Sequence, residues 1–156
     1  MIGLGIGLAG CQDTGISIYT VPKEPNAVQL TVIPPTWHQR SESSFDIISG
    51  GLKAQASVVF LTGSGGGLLA NINRWQQQIG APLVPESELP GLLKNVKMGP
   101  RTFHSVYLVG PKETIVGYIY FGHQGTWFFK LKGDKTLVIQ NKASFLALLR
   151  GAHFDG

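Results

Sequence analysis

The chain has 156 residues, with 13 Lys or Arg against 9 Asp or Glu, so its formal net charge is +4. Its single cysteine excludes an intrachain disulfide and a multi-cysteine metal site. A folded part of roughly 130 residues buries about two thirds of its unfolded surface, enough for one domain without cross-links.

The N-terminal segment, residues 1–11, is apolar, glycine-rich and uncharged, and it ends in LAGC at residues 8–11. Its apolar stretch is about half as long as a membrane span of roughly 20 residues, so a signal-peptide core fits better, although the expected basic n-region is missing. LAGC resembles a bacterial lipobox, which implies lipid attachment at Cys11 and a protein anchored to the cell envelope, facing the periplasm or the exterior. The alternative is an ordinary buried thiol at Cys11.

The following residues, 12–26, have little periodic apolar content and include Pro22 and Pro25, which favour an extended backbone. We expect this segment to be a tether. Residues 27–156 are then expected to form a single domain.

Positive charge is concentrated in the C-terminal half. Beyond residue 90 there are nine basic and three acidic residues, whereas the preceding part has four basic and six acidic ones. Such a surface attracts an anionic membrane or an acidic protein, or is simply solvated. The lysines are scattered without a nucleic-acid-binding motif, so no nucleic-acid partner is expected.

Apolar periodicity predicts a mixture of strands and helices. The predicted strands are 28–33, 45–48, 53–61, 102–109, 114–121 and 127–131. The predicted helices are 68–79, in which Trp75 is expected to anchor the core, a short one at 86–93, and 137–150. The strand 114–121 is apolar on both faces, which is typical of a strand covered on both sides. The expected fold class is α+β, an antiparallel sheet sandwiched by helices in an α/β/α arrangement.

Three motifs carry a resemblance to known families: PTW at 35–37, NINRW at 71–75 and TWFFKLKG at 126–133. Their order resembles that of uncharacterised exported or lipid-anchored proteins from planctomycete-like and verrucomicrobial bacteria. More distantly, the element order is similar to the PsbP-like α/β/α fold of extrinsic photosystem subunits and bacterial lipoproteins. These resemblances imply an accessory or assembly role, and they bring no catalytic residues or metal ligands.

The glycine run at 63–67, directly before the helix 68–79, is the main candidate for a ligand site. Backbone N–H groups of such a loop can form a nest that holds an anion at a helix N-terminus. The candidate residues are Thr62, Ser64, Gly65, Gly66, Gly67, Asn71 and Arg74. The run lacks the GK[ST] ending of a P-loop, and the alternative is a plain strand-to-helix turn.

Catalytic groupings are not evident in the sequence. The four histidines lie in separate segments without metal-ligand spacing, and GSG at 63–65 lacks the pattern of a nucleophile elbow. We therefore expect no enzyme activity, no cofactor and no metal.

Two functions remain open. The first is a lipid-anchored extracytoplasmic binding protein with a protein partner, acting as an accessory or assembly subunit of a membrane complex. The alternative is a carrier of a small molecule or anion that uses the loop 63–67. A carrier requires a closed pocket beside residues 65–68, whereas an accessory subunit requires an exposed apolar patch larger than a few hundred Å².

Overall fold

The computed structural model describes residues 27–154. The strands in this range are β1 (Val28–Gln29), β2 (His38–Ser41), β3 (Ser44–Ser49), β4 (Leu52–Thr62), β5 (Lys94–Met98), β6 (Arg101–Val109), β7 (Glu113–Phe121), β8 (Gly125–Asp134) and β9 (His153–Phe154). The α-helices are α1 (Leu68–Gln78), α2 (Leu89–Leu92) and α3 (Lys135–Arg150). A short 3-10 helix, Glu86–Glu88, leads directly into α2.

Seven strands form one antiparallel sheet in the order β2-β3-β4-β8-β7-β6-β5. The pairing of β4 with β8 joins the N-terminal strands β2 to β4 to the C-terminal strands β5 to β8. The short strands β1 and β9 pair with each other in a separate antiparallel ribbon. β8 is therefore the middle strand of the seven, with β4 and β7 on either side of it.

One face of the sheet packs against α3. Trp127 and Phe129 of β8 are buried there together with Phe145 of α3 and Tyr118 of β7. The helix begins at a capping residue, Asp134, whose carboxylate accepts hydrogen bonds from the backbone N–H groups of the first turn. This cap directs α3 back over the sheet immediately after β8 ends.

The opposite face packs against α1. Ile72, Trp75 and Ile79 recur on one side of this helix and contact a second buried cluster. The sheet residues of that cluster are Val106, Leu108, Ile115, Ile119 and Phe128. Because helices cover both faces of the central strands, the predicted α/β/α arrangement of an antiparallel sheet is confirmed, as is the core position of Trp75.

The prediction that strand 114–121 is covered on both faces is confirmed. Ile115 and Ile119 are buried on the α1 side, whereas Val116 and Tyr118 are buried on the α3 side. Burial raises the pKa of the Tyr118 phenol, against smaller opposing effects of a hydrogen bond with Ser105 and the charge of Arg150.

Several predicted boundaries were wrong at the edges of the fold. The strand expected at 28–33 is reduced to β1, and the following chain contacts the end of α3 through the hydroxyl of Thr31, which donates to the carbonyl of Gly151 at 2.9 Å. The strands β2 and β5 were not predicted. All residues of β2 are exposed, and in β5 three polar residues are exposed while Val96 and Met98 are only half-buried, so neither has the apolar pattern that marks a covered strand.

None of the helices within residues 27–154 is long and apolar enough to cross a bilayer. The predicted signal at 1–11, the lipid site at Cys11 and the tether at 12–26 lie outside the described residues, and they stay predictions.

Candidate functional site

A cleft of about 120 Å³ lies where α1 leaves part of its sheet face uncovered. Its lining residues come from three elements: Ser57, Val59 and Leu61 of β4, Asn71, Arg74, Trp75 and Gln78 of α1, and Phe128 and Lys130 of β8. The three residues of β4 are spaced by two along the strand, so they share one face of the sheet. The spacing of the helix residues likewise places them on one side of α1.

Asn71 fixes one end of the cleft. Its side chain is 1% exposed, and its Nδ2 donates to the carbonyl oxygens of Gly65 at 2.7 Å and Gly67 at 2.6 Å. Its Oδ1 accepts a hydrogen bond from Nη1 of Arg74 at 2.8 Å. One buried amide thus holds the glycine loop closed and positions the guanidinium group.

The glycine loop is built from tight turns. The N–H groups of Gly65 and Gly67 donate to the carbonyls of Thr62 at 3.3 Å and Ser64 at 3.1 Å. Gly65 has a φ of 62°, and a Cβ atom there would lie 2.9 Å from the ring of Phe128, so only glycine fits at this position.

The structure divides the predicted anion-binding residues into two groups. Asn71 and Arg74 line the cleft. Thr62 and Ser64 are exposed in the loop, and Gly65, Gly66 and Gly67 form its turns. Since the amides of Gly65 and Gly67 are already bonded within the loop, the positively charged side chains of the cleft are better placed for an anion than these amides are. Anion binding by the loop itself stays a prediction.

Lys130 brings a second positive charge to the cleft. Its Nζ donates to Oε1 of Gln78 at 2.8 Å and lies 5.9 Å from the ring centroid of Trp75, within range of a cation–π interaction. Burial lowers the pKa of Lys130, and the positive charges of Lys132 and Arg74 lower it further. The surroundings of the amine therefore disfavour its positively charged, protonated form.

Neither Arg74 nor Lys130 forms an ion pair with a carboxylate of residues 27–154. The ion pairs between side chains in that range join Arg40 to Asp46 and Lys132 to Glu113, the latter at 3.6 Å. The partners of Arg74 and Lys130 are neutral amides. Two positively charged side chains without carboxylate partners lie beside the aromatic rings of Trp75 and Phe128. Such an arrangement suits recognition of an anion.

Two other depressions are less suited to a ligand. One of about 390 Å³ opens beside Ala27, the first described residue, and is lined by Glu42, Phe60 and Trp127 among others. Another, of about 170 Å³, contains Asp46, Lys53, Glu113 and Lys132, so charges of both signs already balance each other there. Within the described range, no group of His, Cys, Asp or Glu side chains is arranged to hold a metal ion.

Sequence reasoning missed Lys130, Gln78 and the β4 residues of the cleft. A signal was present in TWFFKLKG at 126–133, because Lys130 shares one face of the strand with the apolar Phe128, while the other face is apolar. Such a lysine must either reach solvent or stand beside a groove.

Comparison with known proteins gives distant structural similarity only. No family model matches the chain, and no curated protein matches its sequence. LpqN, involved in cell envelope biogenesis of Mycobacterium tuberculosis, is similar in structure with a TM-score of 0.45 and 11% identity, over 86% of this chain and 88% of LpqN.

A protein from Bacteroides thetaiotaomicron is similar with a TM-score of 0.40 and 11% identity, over 85% of this chain. This chain spans 50% of that protein's length. Neither similarity is strong enough to carry a conclusion about function, and the resemblances to planctomycete-type and PsbP-like proteins stay predictions.

Proposed function

We propose that the protein is a binding protein whose α1 cleft recognises the anionic group of a ligand. The observation that carries this proposal is the convergence of Arg74 and Lys130, from α1 and β8, on one cleft without a described carboxylate partner. The lowered pKa of Lys130 supports it, because burial and, to a smaller extent, the charges of Lys132 and Arg74 disfavour the ammonium form, and a bound anion would offset these effects.

The size of the cleft limits what it can hold. A volume of about 120 Å³ corresponds to about four water molecules at roughly 30 Å³ each. Pockets that enclose drug-sized ligands have about 300–1,000 Å³. The cleft therefore suits a small ligand or one end of a larger one.

The proposed ligand is an anion, as for the predicted carrier, but the proposed site is the α1 cleft rather than the loop 63–67. The loop 63–67 supports the cleft through Asn71 rather than providing the anion contacts itself. We further propose that a lipid on Cys11 holds the domain at the cell envelope, supported by the lipobox-like LAGC at 8–11. The domain would then bind its ligand at the membrane surface.

A specific observation also favours the second candidate function, an accessory subunit. β5 pairs with β6 only as far as Ser105, and beyond it Tyr107 and Val109 are 43% and 49% exposed on one face. A partner protein could cover this part of β6. Crosslinking through a photoreactive residue at 109, with exposed Ile139 of α3 as the control position, tests it; equal crosslinking at both positions argues against β6 as the interface.

The anion site is tested with acetate and inorganic phosphate as probes, followed by amide chemical shifts in NMR titrations. We expect saturable shifts at Arg74, Gln78 and Lys130, with affinity at least about tenfold weaker in Arg74→Gln and Lys130→Met. The matched control is Lys53→Met, which removes an exposed lysine from β4 outside the cleft. Equal affinities in Lys53→Met and Lys130→Met would overturn the proposal.

A further inference from the structure

We infer that the ligand of this cleft is an amphiphile in which a single anionic group is joined to an unbranched apolar chain. The anionic group contacts Arg74 and Lys130, and the chain lies along Val59 and Leu61 of β4. This inference rests on the proposed function and names its ligand class.

The register of β4 with β8 orders the cleft from polar to apolar. Ser57 is opposite Lys130, and Val59, two residues further along β4, is opposite Phe128. Leu61 follows after two more residues, on the same face. The cationic end therefore changes into an apolar end within two steps along one strand.

The apolar end is open among the described residues. Val59 is 47% exposed and Leu61 is 36% exposed, and both lie beyond the pairing of β4 with β3, which ends at Ser57, although both still pair with β8. Two neighbouring apolar side chains on one face of a sheet form a candidate contact surface when no layer covers them, and α1 stops short of covering this pair. Phe128 and Trp75 are almost fully buried and form the wall beside the pair.

Unused hydrogen-bond donors remain at the cationic end. The structure gives Nζ of Lys130 one acceptor for its three protons, and it gives the guanidinium of Arg74 one acceptor for its five N–H groups. The other polar groups beside the cleft are satisfied: the amide of Asn71, next to the guanidinium of Arg74, is bonded on both of its atoms, and the hydroxyl of Thr126, opposite Leu61 in the register, donates to the carbonyl of Gly63 at 2.8 Å. An apolar chain can therefore cover the apolar end without leaving these polar groups unpaired, because they bond within the protein.

The shape of this surface favours a chain over a ring system. The part of β4 from Ser57 to Leu61 is about 13 Å long, at about 3.3 Å per residue. This length is large for a cleft of only about 120 Å³. A chain that leaves the small cleft and continues along β4 fits both dimensions.

The inference is tested with free alkyl carboxylates from acetate to octanoate and with the matching alkyl phosphates, each below its critical micelle concentration. We expect affinity to rise about fourfold for each added methylene until the chain passes Leu61. Val59→Thr should reduce this gain by a larger factor than it reduces the affinity for acetate and phosphate. Val109→Thr, the same change at an exposed position on another strand, should leave the gain intact.

Each outcome has a distinct meaning. A gain with chain length supports the inference, and the series that binds more tightly identifies the head group as carboxylate or phosphate. Binding of acetate and phosphate without any gain overturns the inference and leaves the proposed anion site standing. Failure of every anion to bind overturns both. Binding only to vesicles of phosphatidylglycerol, with no free amphiphile bound, also overturns the inference and indicates a membrane surface instead.

Discussion

The indole of Trp75 lies directly against the backbone of Gly117, so closely that a Cβ atom at residue 117 would be 2.2 Å from Cζ3 of the ring. Gly117 is in the middle of β7, and the residue paired with it on β8 is Lys130. The missing side chain allows α1 to approach the sheet at this point. The same contact sets the position of the ring that forms the wall of the cleft.

Gly117→Ala is expected to destabilise the protein by about 1–3 kcal/mol, because the added methyl group forces the ring and α1 to move. Chemical denaturation measures the change. Gly91→Ala is the control, since a Cβ atom there would meet nothing within 4 Å, and it should not destabilise the protein because alanine favours a helix more than glycine does.

A double-mutant cycle identifies the contact itself. Trp75→Ala alone should cost about 3–5 kcal/mol, since it leaves a large cavity. Combined with Gly117→Ala, the loss should be smaller than the sum of the two single losses, because the added methyl group then occupies space that the ring has left. Strict additivity would show that the ring does not determine the effect at residue 117.

The relationship between Trp75 and Gly117 also shows how far the sequence could predict the fold. Helical spacing identified Trp75 as a core residue, and alternation identified β7 as covered on both sides. The partner of Trp75 could not be predicted, because it depends on how α1 crosses the sheet. Nothing in the local pattern distinguishes Gly117 from a glycine that weakens a strand.

The same limit applies to the cleft. Asn71 and Arg74 were predicted because they lie beside the glycine loop in the sequence. Lys130 was missed because it is 52 residues from its partner Gln78, and the two meet only where α1 packs on the face of the sheet that carries Lys130. The exposed edge strands β2 and β5 were missed for a different reason: an edge strand does not need an apolar pattern.

Asn71→Asp is expected to destabilise the protein by at least about 2 kcal/mol, more than Asn71→Ala. A carboxylate cannot donate, so at least one of its oxygens would face the carbonyls of Gly65 and Gly67, whereas alanine removes the amide without adding this repulsion. Thermal unfolding measures both changes, with Gln77→Glu on the exposed side of α1 as the charge control. If Asn71→Asp were as stable as the wild type, the amide would not be what holds the loop.

As pH rises, anion affinity is expected to start falling at a lower pH than it would at a site with an ordinary lysine. The pKa of Lys130 is lowered from its usual 10.5 by burial and by neighbouring positive charges, so the folded protein loses this charge before an exposed lysine would. Affinity should be constant near neutral pH and should decrease as pH rises through the lowered pKa. Octanoate titrations between about pH 7 and pH 10.5 measure this, with Lys130→Met as the pH-independent control.

The free energy of unfolding of the ligand-free protein should increase as pH rises through the same range. Between the lowered pKa and the ordinary value, the unfolded chain binds more protons at Lys130 than the folded protein does, so this group adds stability as pH rises. Lys130→Met should therefore be at least as stable as the wild type at neutral pH. A clear loss of stability in this variant would show that the ammonium group serves the fold rather than a ligand.

Cys11→Ser is expected to release the protein from the membrane fraction, because the proposed anchor is a lipid on this side chain. Fractionation of cells with metabolic labelling by a fatty acid measures both attachment and modification. Ser17→Ala, in the predicted tether, is a control that should leave both unchanged. Retention of Cys11→Ser on membranes would mean that another contact attaches the protein.

The most direct measurement of the central claim is native mass spectrometry of the protein purified from its own cells under mild conditions. We predict a noncovalent adduct with the mass of an anionic amphiphile, present in the wild type and lost in both Arg74→Gln and Lys130→Met. Any covalent lipid on Cys11 would persist under denaturing conditions and is distinguished in that way. An adduct retained unchanged by both variants, or no adduct together with no response to the alkyl carboxylate series, would contradict the account.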